Sequence, residues 1–598
     1  MKTAAAALVF LVTLGIAIPN SSGRERSAAV AVANTRSSGV LANAEKDYWE
    51  FLQKRSLDLR LELGLPIEEL PDLSETRARE DAEYGAELVQ RLRGLREVEL
   101  SHEESLSLAM LREEGRNLLD SHRDYWLTFP VTPYASPMRV VHQVFTSWRF
   151  RTPEDLDRYV RLLSRYPAFV RQMEEKLRAQ AKRGIRVPKP ETALVAETCR
   201  AVIGEPAESL FFVRSERLEQ EPEQDRATFA KRVEGLVSSR INPALESLAS
   251  YVAGDYAAKA PSAVGLGQYP GGRAYYQRLV RFHTTLDVTP EEVHRLGLAE
   301  VDRLNGELGE IQAAVGFQGT LAEFRRHIRI DPRFVPKTAD EIGERLLAAQ
   351  KHIEAKIPFY FGKTPSAPAG IRRLSPDLER GMTYGFYQAP TASDPRGYYY
   401  YNGSSLADRS LLSAAALIYH ELVPGHHFQI CLQKENSDLP SFRREAAWTA
   451  YTEGWGEYAS SLAGEMGMYE DPYDRAGRLV MDAFLCARLV VDTGMNALGW
   501  SRARAVAYMK ENTLESDTQI ATETLRYSCD IPGQALAYKM GAAKIRDLRA
   551  RAQRALGPSF DIRRFHDVVL GSGPMPMAVL ERHVDWFIES ERLRTASR

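Results

Sequence analysis

"LLSAAALIYHELVPGHHFQICL", residues 411–432, reads as one helix interrupted in its middle, and most expectations for the chain depend on that interruption. Pro424 has no N–H to give the carbonyl of His420, and its ring would clash there in a continuous helix. Gly425 permits backbone angles that other residues avoid. The stretch therefore predicts a helix up to about Val423, a break at Pro424-Gly425, and a second helix from His426.

The break bears on chemistry because His420-Glu421 begins like His-Glu-x-x-His. In that pattern two imidazoles one turn apart on a helix face reach a common zinc ion. Pro424 stands where the second histidine belongs, and the next histidines are His426 and His427. On an unbroken helix His426 would point about 240° away from His420, and His427 would lie about 10 Å along the axis. A break absorbs the extra residues and can return one of the two to the ligand position; both remain candidates. A third ligand has candidates in "FRREAAWTAYTEGWGEYASSL" (442–462), where Glu453 and Glu457 are four apart and share a helix face. Gly454 and Gly456 each cost about 1 kcal/mol inside a helix, so something is expected to approach that backbone closely. The bland alternatives are a solvated acidic face and a structural histidine cluster.

Helical periodicity dominates from about residue 44. "TPEDLDRYVRLL" (152–163) starts with Thr152, Pro153 and an acid at Asp155, then places Leu156, Tyr159, Val160 and Leu163 on one stripe. Thr289, Pro290 and Glu292 repeat the same start. Strand-like text is confined to "GMTYGFYQA" (381–389) and "GYYYYNG" (397–403). These are expected to form a hairpin beside the 420s, packed or with the Tyr398–Tyr401 edge open to an extended peptide. The fold class expected is mainly α, with a small antiparallel sheet. Residues 44–260 would form an N-terminal helical part and 261–598 a metal-binding part, together one continuous unit.

Composition adds exclusions. A formal charge of −2 and 26% charged residues give no reason to expect nucleic acid or an anionic membrane surface as partner. The N-terminus differs: Met1-Lys2, then the apolar "TAAAALVFLVTLGIAIP" (3–19), then polar residues, which reads as a secretory signal over 1–23. Its cleavage point is open, because the "AVA" at 31–33 also offers small residues. Residues 24–43 are expected to be flexible, and the mature protein exported, periplasmic or secreted. No cysteine lies near the signal's end, so lipid attachment through one is not expected. Cys199, Cys431, Cys486 and Cys529 are too few for a disulfide scaffold, and their redox state stays open.

"HELVPGHHFQ", "AYTEGWGEYA", "RLVVDTGMNALGW", "RYSCDIPGQALAYKMG" and "FDIRRFHDVVL…GPMPMAVLE" occur in this order. Together they resemble the bacterial domain of unknown function 885 family across roughly 45–590. That family in turn is similar to zinc peptidases of the thimet oligopeptidase and carboxypeptidase kind (gluzincins), which implies a multi-helix metallopeptidase-like fold with a central cleft. The resemblance implies one Zn²⁺ held by His420, His426 and Glu453, with His427 as the rival to His426. It implies Glu421 as general base and Tyr538, in the tyrosine-rich "PGQALAYKMG", as a donor to the oxyanion. Glu457 would orient a ligand histidine, and Arg526 would pair with a substrate carboxylate. Tyr527 and His566 are weaker candidates, since such residues are more often core than catalytic. The function expected is a zinc-dependent hydrolase, foremost a metallopeptidase acting on peptides. The alternatives are an amidohydrolase acting on an amide-containing small molecule and a non-catalytic metal-binding protein.

Overall fold

A computed structural model describes residues 22–219, 221–379, 385–391 and 394–596. Of the expected signal, 1–21 lie outside the described residues. The helix Ser22–Arg55 takes in the whole of 24–43, read from sequence as flexible; its alanine-rich composition carries no proline to stop it. Leu41, Ala44 and Tyr48 of this helix are buried.

The chain is mainly helical with one small sheet. The helix Glu154–Leu163 buries Leu156, Tyr159, Val160 and Leu163, the stripe the sequence predicts, and the Asp155 carboxylate accepts from the N–H groups of Arg151 and Thr152. Pro290–Ala314 starts with a complete capping box between Thr289 and Glu292.

Two large hydrophobic cores hold the helices together, and they do not follow the 260/261 division. Leu41, Leu88 and Leu106 share one core with Tyr419, Trp455, Phe565 and Leu580. The other gathers Phe145, Tyr159, Phe211 and Tyr276 with Leu489 and Leu536. N-terminal helices thus pack directly on the elements that carry the histidines.

The sheet corrects the sequence reading. β1 (Ala369–Arg373), β2 (Gly385–Gln388) and β3 (Gly397–Tyr401) lie in the order β1-β3-β2. β2 and β3 pair antiparallel as expected, but β1 pairs parallel with β3, so the sheet is mixed. A parallel partner leaves no turn signature next to it in sequence, and "AGIRR" lacks the aromatic pattern of the other two. β3 is central, so the Tyr398–Tyr401 backbone offers no open edge to a peptide; the sheet's edges belong to β1 and β2.

The interrupted helix is present. α1 (Ala414–Glu421) ends at Leu422 (φ −112°, ψ −95°), and α2 (His426–Glu435) begins after Gly425 (φ −82°, ψ −125°). A Cβ on Gly425 would stand 1.8 Å from the carbonyl oxygen of His420, so the turn folds back onto the helix it left and admits only glycine. The Trp455 indole donates to the Pro424 carbonyl at 2.9 Å and pins the break to α3 (Thr449–Glu465).

Candidate metal centre

α3 approaches α1 closely because its glycines allow it. A Cβ at Gly456 would meet the His420 ring at 2.9 Å, and one at Gly454 would meet the Gly541 backbone at 2.6 Å, on α6 (Ala537–Leu556) once α4 (Pro472–Asn496) and α5 (Asp517–Leu525) are counted. This is the close approach those glycines signal in the sequence. It sets Glu453 against the two histidines.

The Glu453 Oε2 lies 3.4 Å from His420 Nε2 and 3.4 Å from His426 Nε2. The two imidazoles stand nearly perpendicular, with centroids 4.6 Å apart. A charge-assisted N–H···O⁻ bond would close to about 2.7–2.9 Å. Ligand atoms about 2.0–2.1 Å from a shared tetrahedral zinc stand about 3.3–3.4 Å apart. The observed spacing matches the second geometry, and two nitrogens with one carboxylate oxygen are a donor set suited to zinc. Burial raises the Glu453 carboxyl, but the two imidazoles outweigh it and hold the group well below the usual range, so it is an anion. Burial lowers the His420 imidazole, yet Glu453, Glu457 and Glu421 more than reverse this and bring it to about 10.

His427 is elsewhere. Its Nε2 donates to the Ala367 carbonyl at 2.9 Å and its Nδ1 accepts from the Tyr387 hydroxyl at 3.0 Å, so both ring nitrogens are engaged in joining α2 to the sheet. The structure brings His420, His426 and Glu453 together and leaves His427 outside.

Glu421 follows His420 directly, and its carboxyl is pushed up by burial, against the pull of His426 and His420; it accepts from the backbone N–H of Tyr387 in β2. Edge strand β2 therefore runs beside the cluster. Tyr538 stacks on His420 at 5.9 Å and 18°. Burial raises its hydroxyl, which stays protonated and can donate.

Behind His420 lies a buried charge network that the sequence reading mostly missed. Glu457 Oε2 is 3.8 Å from His420 Nδ1, and the same carboxylate is ion-paired with Arg478 and Lys539. Both cations also reach Asp482. Only Glu457 is visible as a candidate in sequence, since its partners are 21 and 82 positions away.

Arg526 and Tyr527 sit with Glu523 rather than among the three ligand-type residues. Arg526 pairs with Glu523 at 2.9 Å, and the Tyr527 hydroxyl donates to the same carboxylate. His566 is a core residue: Tyr458 meets its Nε2 at 2.7 Å and the Tyr360 carbonyl its Nδ1 at 2.8 Å. Two surface cavities, of about 240 and 440 Å³, lie away from this region and are lined by none of His420, Glu421, His426 or Glu453. One other cluster of ligand-type residues exists among the described residues: Glu191, Cys529 and Asp530.

Residues 59–584 match the family described as "Bacterial protein of unknown function (DUF885)". The chain belongs to this family. Its fold is similar to that of a "putative lipoprotein" from Colwellia psychrerythraea, with a TM-score of 0.84, 27% identity, and coverage of 93% of this chain and 99% of that one. It is also similar to a "putative lipoprotein of unknown function" from Shewanella oneidensis, with a TM-score of 0.70, 17% identity, and coverage of 91% and 99%. No curated protein matches. None of the described helices is long and apolar enough to cross a membrane. All four cysteines are buried and free.

Proposed function

We propose that the protein is an exported zinc-dependent hydrolase, a gluzincin-like peptidase cleaving peptide bonds. The observation that carries this reading is the pair of 3.4 Å separations from Glu453 to His420 and His426, with a carboxylate next in sequence to the first histidine. His420, His426 and Glu453 would hold one zinc ion. Bound there, it would polarise the scissile carbonyl and bring the pKa of a water towards ~7.

The chain's own groups then have separate tasks. Glu421, with its carboxyl raised by burial, takes the proton from the attacking water and returns it to the leaving amine. Tyr538, kept protonated, donates a hydrogen bond to the oxyanion. Glu457, 3.8 Å from His420 Nδ1, sets a negative charge behind the ring and would leave Nε2 as the nitrogen for the ion. A peptide is favoured as substrate because β2 is an edge strand that runs beside Glu421, so an extended chain paired with it would lie at the cluster. The partly exposed faces of Glu421, Glu453 and Tyr538 would floor the cleft. Export rests on the apolar segment 3–19 and on the similarity to the structure described as a "putative lipoprotein" from Colwellia psychrerythraea.

The test is Glu421→Gln in the purified protein. Metal content should stay at that of the wild type while peptide hydrolysis falls by about 10³-fold or more. Hydrolysis at the wild-type rate would remove Glu421 from the mechanism.

A further inference from the structure

The charges beside Tyr538 gather around one acid. Arg488, on α4, and Arg526, just after α5, share a single carboxylate, Glu523. Glu523 is saturated: it accepts from Arg488 at 3.0 Å, Arg526 at 2.9 Å, Gln519 at 2.9 Å, and the Tyr527 hydroxyl. Arg488 is buried among aromatic rings, its guanidinium 4.4 Å from the Phe484 centroid and 5.0 Å from that of Tyr538, and its Nε has no hydrogen-bond partner. Arg526 has 23% of its side chain exposed, and no ion pair other than Glu523 is found for it among the described residues. The remaining acid in its field is Asp530, which burial pushes up to about 7. Glu453 and Glu421 face His420 and His426 instead. Two guanidinium groups thus share one saturated carboxylate next to Tyr538, the residue that stacks on His420.

Resting on the peptidase reading, we propose that Arg526, backed by Arg488, binds the free terminal carboxylate of the substrate, so that the enzyme is an exopeptidase acting at peptide C-termini. The exposed face of Arg526 presents the N–H donors that Glu523 does not use, and a planar carboxylate is the anion that accepts two of them side by side. Glu523 holds the guanidinium in place from behind. Arg488 lies too deep to touch substrate; it is a positioning residue that adds charge and keeps Glu523 from neutralising its neighbour.

The proposal predicts binding as well as turnover, so its test uses both, on the metal-loaded full chain. A mixed tripeptide pool is made twice, once as free acids and once as C-terminal amides. Affinity for each pool is measured on Glu421→Gln protein, which removes turnover, and kcat/KM is measured on the wild type. The acids should bind about 10- to 100-fold more tightly than the amides, the range for a hydrogen-bonded charge pair. Arg526→Ala in the same background should bring the ratio to about one with metal content unchanged, and Arg526→Lys should restore part of it. Equal affinity for acids and amides, binding of neither pool, or a ratio that survives Arg526→Ala overturns the proposal. Acid-selective binding without any wild-type hydrolysis would leave this subsite standing and refute the hydrolase instead.

Discussion

Two clusters among the described residues hold three ligand-type residues within reach of one another; they are alike in burial and differ in spacing and in protonation. In the first, Glu453 stands 3.4 Å from each of two imidazoles, longer than charge-assisted hydrogen bonds and matching two edges of a metal tetrahedron. In the second, the Cys529 thiol donates to Glu191 at 2.9 Å and the Ser528 hydroxyl donates to the same carboxylate, so two of its contacts are hydrogen bonds. Protonation follows the same division. The imidazoles hold Glu453 as an anion, whereas burial and the nearby Asp530 push Glu191 well above the usual carboxylate range. Composition alone would rank the two together. Spacing separates them, and so does the partner the acid is given.

The contrast breaks most visibly at its two acids. Glu453→Ala should lower hydrolysis by about 10³-fold or more, since a ligand is lost. Glu191→Gln should leave kcat/KM within about threefold of the wild type, because a neutral amide replaces an acid that is already protonated. Comparable losses in the two variants, in a steady-state assay, would merge the clusters again.

A smaller effect should come from behind the ring. Glu457→Gln should weaken metal retention about 10- to 100-fold in a chelator competition, as loss of a carboxylate beside a ligand imidazole does elsewhere. Its thermal stability must be followed in parallel, because Arg478 and Lys539 lose one of the two anions they share and keep only Asp482. Gly456→Ala puts a methyl 2.9 Å from the His420 ring and should displace it, weakening the metal about tenfold in the same competition.

The smallest effect concerns a histidine that belongs to neither cluster. Burial lowers His566 to about 3, so the folded state needs it neutral. Its contribution is full above the ordinary imidazole value of ~6.5 and is lost as pH falls from there towards about 3. His566→Gln should therefore flatten the acid limb of stability, measured by denaturant midpoints, by up to one proton, ~1.4 kcal/mol per pH unit. An unchanged slope would show that its ring is already protonated in the fold.

How much of this was readable beforehand depended on whether the signal was local. Pro424 and Gly425 announce the break through backbone chemistry that any context must respect, and Gly454 and Gly456 announce the close helix contact in the same way. His426 and His427 could not be separated from sequence, because both follow the break and their choice is made by Ala367 and Tyr387, 60 and 40 positions away. Arg488 lies at the head of a recognisable motif yet carries no mark of its role, which comes from Glu523 on another helix. β1 escaped notice because its parallel partner is reached without a turn. Arg526 was read as a partner for a substrate carboxylate; its pairing with Glu523, one turn earlier, was not foreseen.

Metal content of the purified protein and two variants bears most directly on the centre itself. After dialysis against metal-free buffer, elemental analysis should find one zinc per chain in the wild type and in His427→Ala, and almost none in His426→Ala. Zinc retained by His426→Ala, or lost only from His427→Ala, would contradict the assignment.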